Sequence, residues 1–377
     1  MKILAYYLPQ FHEIPENNEW WGEGFTEWTN VKRAKPLFED HYVPRVPLNK
    51  NYYDLTDVNT QAWQVELARK YGVYGFCMYH YWFNGHLLLE KPIHQYLEHK
   101  ELNLPFCFSW ANEYWTNGWV SSENKILIAH DNSDENDWIN HFNYFLPFFK
   151  DDRYIKIDGK PLIILYFPDI LQRCNEMIDC WRKMAEKNGF AGLEVLYQKA
   201  MTHFNNSFDK SHFDGGIEFQ PGYSLTKNSS AAKRSRALMR FKVVNYIKLK
   251  FGISFKKKEK NDLVKINYDD VWSDIINTIP DNEKMFPGAF VDWDNTPRKG
   301  MWGSAYLGVT PQKFKRYMIE EIKRARDIYH KDYLFIFAWN EWGESGYLEP
   351  DEKWNYEYLE AIHEALIVND EMPIYPV

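Results

Sequence analysis

Short apolar runs recur along the chain, and most of them are followed by a polar or aromatic cluster and then by a segment with helical periodicity. The runs cover residues 3–7, 74–79, 105–110, 162–167, 193–198, 215–219, 287–293 and 334–339. The helical patterns cover residues 60–71, 88–100, 135–149, 170–187, 271–279, 311–329 and 354–365. Strands that alternate with helices indicate a parallel sheet. Eight such units favour a single α/β domain over residues 1–377, a closed (β/α)8 TIM barrel, with an open doubly wound sheet as the alternative.

The composition excludes several classes of function. The net charge is −8, so no general nucleic-acid surface is expected. The four cysteines form no CxxC pair and have no histidine at zinc spacing, which predicts a reducing compartment without disulfides. The first residues lack a signal h-region, and no stretch reaches the length of a membrane span. We therefore expect a cytoplasmic location.

One segment departs from the acidic character of the chain. Residues 227–260 hold twelve Lys or Arg and one acidic residue, Glu259, a balance of 12 − 1 = +11, so the rest carries −8 − 11 = −19. Residues 237–252 interleave apolar and basic side chains. This pattern predicts a basic amphipathic insertion, residues 227–262, before the seventh strand. It is typical either of a peripheral contact with an anionic inner membrane or of a solvated insertion.

Aromatic and polar side chains gather at the carboxyl ends of the predicted strands, where barrel enzymes place their active sites. They predict a substrate-binding set of Tyr6, Tyr7, His80, Tyr81, Trp82, Trp110, Asn112, Glu113, Glu218, Trp293, Asp294, Trp339, Asn340 and Trp342. Two alternatives stay open within this set. His80 is equally well explained as a core histidine, and Glu113 and Glu218 as structural partners of Lys or Arg.

Two carboxylates three residues apart follow the last strand. Glu341 and Glu344 lie among Trp339 and Trp342. Apolar rings raise carboxyl pKa values, and two close carboxyl groups push their pKa values apart, which supplies an acid and a base at neutral pH. Indole faces and carboxylates together suit sugars. The alternative is a loop in which Glu341 pairs with a Lys or Arg and the tryptophans fill the core.

Other catalytic motifs are missing from the sequence. It contains no Walker or dinucleotide glycine loop, no GxSxG and no HExxH. Asp292 and Asp294 form a DxD pattern, which we interpret as a pair at a strand end because so short a pattern often arises by chance. We therefore predict no metal and no organic cofactor.

Six segments together resemble a known family. They are residues 6–12 (YYLPQFH), 24–30 (GFTEWTN), 79–82 (YHYW), 110–113 (WANE), 292–298 (DWDNTPR) and 339–344 (WNEWGE). The chain resembles the WbsX-type proteins of bacterial O-antigen and capsule gene sets, which are often labelled glycosyltransferases. That family is in turn similar to glycoside hydrolase family 99, the endo-α-mannosidases, which are (β/α)8 barrels.

The resemblance implies a catalytic pair and a reaction. Glu341 would be the base that deprotonates the 2-hydroxyl of an α-mannoside-like sugar, and Glu344 the acid that protonates the leaving oxygen, with a 1,2-anhydro sugar between the two steps. The expected substrate is an oligosaccharide or lipid-linked glycan of a bacterial surface polysaccharide, and the expected enzyme a retaining glycosidase or transglycosidase. Two alternatives remain: a sugar-nucleotide-dependent glycosyltransferase of lipopolysaccharide or capsule biosynthesis, and a non-catalytic glycan-binding protein.

Overall fold

The computed structural model describes residues 1–116, 126–200, 208–227 and 263–376, and in these residues nine parallel strands form one barrel sheet. The strands are β1 (Lys2–Tyr7), β2 (Val73–Phe83), β3 (Phe106–Trp110), β4 (Lys160–Leu165), β5 (Glu194–Lys199), β6 (Gly215–Glu218), β7 (Met285–Phe286), β8 (Gly288–Phe290) and β9 (Tyr333–Phe337). Each predicted apolar run lies on one of these strands. The predicted TIM-barrel class is confirmed.

The strand β7 lies just before the seventh predicted run, which begins at Pro287 and contains β8. The sheet order is β7-β6-β5-β4-β3-β2-β1-β9-β8, so β7 pairs with β6 and β8 pairs with β9. Proline has no backbone N–H to donate to a ladder. The Pro287 carbonyl instead accepts from the backbone N–H of Phe335 at 3.2 Å. The break lets one run of chain join both neighbours, which brings the two ends of the sheet together.

Helices pack around this sheet. They are α1 (Pro15–Trp21), α2 (Glu27–Arg33), α3 (Val58–Tyr71), α4 (Lys91–Glu98), α5 (Glu135–Phe149), α6 (Cys174–Lys187), α7 (Gly222–Lys227), α8 (Tyr268–Ile276), α9 (Thr296–Lys299), α10 (Pro311–Asp327) and α11 (Glu357–Val368). All seven predicted helices are present. The helix over residues 135–149 has the predicted ends, and the other six are shifted at one or both ends. The helix predicted from residue 88 begins at Lys91 because His86–Leu88 pairs with the end of β2. At α10, Thr310 caps the first turn and Pro311 opens the helix, as the sequence predicts.

The barrel interior is filled mainly by aromatic side chains. Tyr6 stacks on Tyr79 with ring centroids 5.6 Å apart and meets Phe219 edge to face at 5.1 Å. Such pairs add to the stabilisation that comes from burying the rings. The interior is therefore a packed core, and any cavity has to lie above it, among the loops.

The basic insertion falls almost entirely outside the described residues. Of residues 227–262, only Lys227 belongs to the described part of the chain, as the last residue of α7. The prediction that 228–262 form an amphipathic element therefore stays a prediction. Among the described residues, no helix combines the length and the apolar character that crossing a membrane requires.

Candidate active site

A cavity of about 490 Å³ opens at the carboxyl ends of the barrel strands. Its wall comes from the segment after β1 with its two short helices, from the carboxyl-terminal parts of β2 and β9, and from the segments after β3, β4, β6, β8 and β9. The lining residues are Leu8, Gln10, Trp20, Trp21, Phe25, Glu27, Asn30, Arg33, Tyr79, Tyr81, Ala111, Glu113, Tyr114, Trp115, Thr116, Tyr166, Phe219, Trp293, Arg298, Phe337, Glu341 and Glu344. Aromatic rings and carboxylates dominate this wall, and the cavity lies where barrel enzymes carry out their chemistry.

The loop after β9 is fixed to the end of β1. The backbone N–H of Trp339 donates to the Tyr6 carbonyl at 2.8 Å. The Asn340 side chain accepts from the Leu8 N–H at 2.7 Å and donates to the Leu8 carbonyl at 3.0 Å. These bonds satisfy backbone groups that a buried loop would otherwise leave unpaired. The loop therefore enters the cavity wall in a fixed direction.

Trp342 anchors the same loop from behind. Its ring is buried and stacks on Tyr347 at 3.8 Å, while its Nε1–H donates to Glu349 at 2.6 Å. Glu349 also accepts from Tyr53 at 2.8 Å and from Gln64 at 2.7 Å. Burial raises the pKa of Glu349 to about 7. Because the Trp342 ring and the Glu349 carboxylate are both fixed by these contacts, they also fix the turn that carries Glu344.

A single guanidinium joins the two predicted catalytic carboxylates. Arg298, the residue that ends the 292–298 segment, contacts Glu341 through Nη2 at 3.0 Å and Glu344 through Nη1 at 2.9 Å. Its Nε–H donates to Glu27 of α2 at 2.7 Å. The exposed fractions of these side chains are 3% for Glu27, 7% for Glu341, 10% for Arg298 and 13% for Glu344. Glu341 therefore does pair with a basic residue, as the alternative interpretation predicts, but it also lies on the cavity wall.

Gly343 makes room for this cluster. A Cβ atom on Gly343 would lie 1.9 Å from Oε1 of Glu27 and 2.7 Å from Nε of Arg298. Real Cβ atoms do not approach other atoms so closely. Because Gly343 has no side chain, the Glu27–Arg298 pair can pack directly against the backbone of the loop that carries Glu341 and Glu344.

Two carboxyl groups of the cavity have raised pKa values. Burial raises the pKa of Glu341 to about 8, against the opposing effect of Arg298 and with a further rise from the charges of Glu344 and Glu27. Desolvation and the charge of Glu344 raise the pKa of Glu113 to about 7. The charge of Lys299 opposes this rise in the pKa of Glu113. The carboxyl groups of Glu341 and Glu113 can therefore exchange protons near neutral pH, as acid–base chemistry requires.

Five of the predicted site residues line the cavity: Tyr81, Glu113, Trp293, Glu341 and Glu344. The other residues predicted at the ends of β1 and β2 point elsewhere. Tyr6 lies in the barrel core, and the Tyr7 hydroxyl donates to Gln64 at 2.8 Å. His80 lies 2.9 Å from His141, nitrogen to nitrogen, and burial lowers its pKa to about 3, which matches the core-histidine interpretation. Trp82 donates its Nε1–H to Asp137 at 3.0 Å.

The remaining predicted residues surround the cavity from outside its wall. Trp110 and Trp339 are buried, and Asn112 bonds to the backbone of Phe167. The carboxylate of Glu218 accepts from the Tyr329 hydroxyl at 2.8 Å, behind the sheet. Asn340 and Trp342 fix the last loop, as described above. Direct substrate contact stays a prediction for these residues, and their observed contacts are structural.

The DxD carboxylates are each held by a basic side chain. Asp292 pairs with Arg45 at 2.7 Å, and Asp294 with His41 at 2.6 Å. The backbone N–H of Asp294 also donates to the Glu344 carbonyl at 2.8 Å. In the parts of the chain that the structure describes, no group of three or more His, Cys, Asp or Glu side chains is placed to hold a metal ion. The pair therefore supports the loop that carries Glu344.

The sequence-based site omitted several wall residues. Glu27 and Arg298 lie inside two of the motif segments, 24–30 and 292–298, but neither falls at a strand end, which was the criterion used. Aromatic residues of α1, of the link between α1 and α2, and of the segment after β3 were also missed: Trp20, Trp21, Phe25, Tyr114 and Trp115. Glu27 and Arg298 could have been predicted from their motifs, because each combines a charged side chain with aromatic neighbours.

Comparison with known proteins places this site in a family. A family model described as Glycosyltransferase WbsX matches residues 3–362. The chain belongs to the WbsX family. It is 32% identical over 375 residues to the WxcX proteins of two strains of Xanthomonas campestris pv. campestris, and the match covers 97% of this chain and 49% of theirs. The chain thus spans about half the length of the curated relatives it matches.

Solved structures share the fold of this WbsX family member at low sequence identity. A glycoside hydrolase-like protein superposes with a TM-score of 0.55 at 12% identity, covering 97% of this chain and 93% of its own. The GH99 endo-alpha-mannosidase from Bacteroides thetaiotaomicron superposes with a TM-score of 0.53 at 11% identity, covering 98% of each chain. The resemblance inferred from the six segments is confirmed, and the likeness to these solved structures shows a shared fold.

Proposed function

We propose that this chain is a retaining glycosidase or transglycosidase that cleaves α-mannoside-like bonds in a bacterial surface polysaccharide or its precursor. The observation that carries the proposal is the cluster at the carboxyl end of β9. Glu341 and Glu344 lie on the wall of one cavity and contact neighbouring nitrogens of one arginine. Both carboxylates are therefore neighbours on one part of the cavity wall, within reach of O2 and the leaving oxygen of a single sugar residue.

The first chemical step uses the two carboxylates in different roles. Glu341 takes the proton of the sugar 2-hydroxyl, and the resulting oxygen attacks C1 from the side opposite the leaving group. The bond from C1 to the leaving oxygen breaks, and Glu344 gives that oxygen its proton. The product is a 1,2-anhydro sugar. Neither carboxylate forms a bond to carbon, so both can lie beside O2 and the leaving oxygen, unlike the nucleophile of the usual retaining scheme.

The second step reverses the proton transfers. Glu344, now ionised, takes a proton from water or from an acceptor hydroxyl, whose oxygen attacks C1. The C1–O2 bond of the anhydro ring opens, and O2 recovers the proton held by Glu341. Two inversions at C1 give net retention. Water as the attacking group gives hydrolysis, and a sugar hydroxyl gives transfer.

The composition of the cavity supports a neutral sugar. Indole and phenol rings from Trp20, Trp21, Tyr81 and Trp115 offer flat apolar faces to sugar C–H groups. Among the described residues, the wall carries four glutamates against two arginines, Arg33 and Arg298. Because Arg298 is already paired with three carboxylates, this charge balance disfavours the phosphates of a nucleotide sugar.

The assay that tests the proposal compares three donors with the purified chain. An α-mannosyl fluoride should release fluoride with catalysis, whereas its 2-deoxy analogue should not, because it has no 2-hydroxyl to form the anhydro ring. A nucleoside-diphosphate sugar should give no transfer. Fluoride is followed with an ion-selective electrode, and the anomeric configuration of the first product by proton NMR.

Each other outcome identifies a different enzyme. Catalysed turnover of the 2-deoxy analogue would indicate an enzyme nucleophile and overturn the mechanism. Transfer from the nucleotide sugar alone would favour the glycosyltransferase that the family description names. Saturable glycan binding, without turnover of any of the donors and with the affinity unchanged in Glu344→Gln, would favour a non-catalytic binding protein.

We also propose that residues 227–260 bind anionic membranes, on the strength of their +11 balance alone. Each Lys or Arg near an anionic surface contributes about 1 kcal/mol, so sedimentation with anionic liposomes should be strong at low salt and fall as salt rises. The triple substitution Lys256→Glu, Lys257→Glu and Lys258→Glu should weaken this sedimentation. The matched substitution of three exposed lysines, Lys150→Glu, Lys183→Glu and Lys187→Glu, should not. Equal recovery with neutral and anionic vesicles would contradict the proposal.

A further inference from the structure

We propose that Arg298 is the positioning residue of this site: it holds Glu341 and Glu344 on its two terminal nitrogens, while Glu27 fixes its direction through Nε. The inference rests on the proposed function for the roles of the two carboxylates. The three contacts are 3.0, 2.9 and 2.7 Å, and all four side chains are nearly excluded from solvent. This arrangement uses all three nitrogens of one planar group.

The planar fork of the guanidinium makes this arrangement specific to arginine. Its five N–H groups point in fixed directions, so carboxylates on Nη1, Nη2 and Nε are held in fixed relative positions. A lysine ammonium is a single point and cannot set two carboxylates in a defined geometry while a third fixes its own direction. Glu27 in turn lies in the first turn of α2, and the Thr26 cap holds that turn. The chain of support therefore runs from α2 through Arg298 to the last loop.

Arg298 also controls the charge of Glu341. The groups that face Glu341 electrostatically are Arg298, Glu344 and Glu27, together with the phenols Tyr79, Tyr81 and Tyr166 of the cavity floor. Glu113 faces Glu344 and Tyr166 from the opposite wall. Burial favours the neutral acid, and Arg298 opposes it. A base has to be ionised, so the guanidinium is what allows Glu341 to lose its proton in so dry a place.

Two substitutions should move the pKa of Glu341 in opposite directions. Arg298→Gln removes the cation and should raise that pKa by on the order of one unit or more, the usual effect of an adjacent arginine. Glu27→Gln removes an anion but keeps an oxygen for Nε, and should lower it. A merely structural role of Arg298 would not give shifts of opposite sign. The acid limb of the kcat/KM profile should shift with the pKa in each case.

The decisive measurement needs no substrate. The full chain is labelled with ¹³C at the glutamate side-chain carboxyl carbons, and the signal of Glu341 is assigned by its loss in Glu341→Gln. Titration of the wild type, Glu27→Gln, Arg298→Gln and Arg298→Lys then gives the pKa of Glu341 in each. Glu352→Gln, at an exposed position outside the cavity, is the matched control and should leave the titration unchanged.

Arg298→Lys separates charge from geometry. It keeps the positive charge, so the pKa of Glu341 should stay closer to the wild-type value than in Arg298→Gln. It loses the fork, so kcat should still fall by on the order of 10², the cost of a misplaced catalytic group. Should Arg298→Gln fail to fold, Glu27→Gln and Arg298→Lys still decide the question.

The outcomes distinguish this inference from the proposed function. An unchanged pKa of Glu341 in Glu27→Gln, or wild-type kcat in Arg298→Lys, would overturn the positioning role whatever the substrate. Shifts of opposite sign in a protein that turns over no glycoside would uphold the electrostatic coupling and overturn the proposed function alone.

Discussion

Replacing Glu341 or Glu344 with glutamine is expected to reduce the turnover of the natural glycoside by on the order of 10²–10⁴, the usual contribution of a general acid or base. Glutamine keeps the size and an oxygen acceptor for Arg298 but cannot exchange a proton. Both side chains lie on the cavity wall and belong to a loop that Asn340 and Trp342 hold from behind. The fold should therefore survive, and circular dichroism and thermal unfolding check this.

A glycosyl fluoride should separate the roles of the two carboxylates. Fluoride leaves without a proton, so the first step on this donor needs the base but not the acid. Glu341→Gln should lose most of its fluoride release, whereas Glu344→Gln should keep the first step and be slow in the second. The kinetics of fluoride release over the first turnover measure the difference.

The control for this pair is Glu352→Gln, which changes an exposed carboxylate in the segment after the last loop. It should keep wild-type rates on every donor. Wild-type turnover in both Glu341→Gln and Glu344→Gln would show that the catalytic groups lie elsewhere. Loss of first-turnover fluoride release in Glu344→Gln, with its retention in Glu341→Gln, would show that the base and the acid have been assigned incorrectly.

The barrel could be predicted from the sequence because it depends on local patterns. Buried parallel strands have continuous apolar runs, and the run at residues 334–339 contains all of β9 except Tyr333. The strand β7, just before Pro287, was not predicted, although a proline is a known sign of an interrupted ladder. The pairing of β7 with β6 and of β8 with β9 depends on barrel closure, which no local pattern specifies.

Part of the site could also be predicted from local sequence patterns. Glu341 and Glu344 were identified because they adjoin a strand end and each other. Glu27 lies far from them in sequence and reaches them only through Arg298. Trp342, Asn340 and Glu218 share the residue types of a sugar site, but their partners are Glu349, Leu8 and Tyr329. Residue type at a strand end does not determine whether a side chain faces the cavity or the core.

Gly343→Ala is expected to reduce activity by on the order of 10², through the position of Arg298 rather than through any contact with substrate. The added methyl group would lie 1.9 Å from Oε1 of Glu27 and 2.9 Å from its Cδ. One of the two groups has to move, and Glu27 is the group that fixes the direction of Arg298. The expected loss is measured as kcat/KM on the α-mannosyl fluoride, with thermal unfolding as the check on the fold.

The matched control is a double-mutant cycle with Glu27→Ala. That substitution removes Oε1 and Cδ of Glu27 and leaves only the contact of the new methyl group with Nε of Arg298 at 2.7 Å. Gly343→Ala should therefore cost less activity in the Glu27→Ala background than in the wild type. Interaction energies between residues in contact are commonly about 0.5–3 kcal/mol, large enough to be resolved by such a cycle. Full additivity of the two losses would mean that glycine is needed at position 343 for the backbone conformation of its own turn and not to avoid Glu27. It would also remove the steric argument that the loop, Glu27 and Arg298 form one unit.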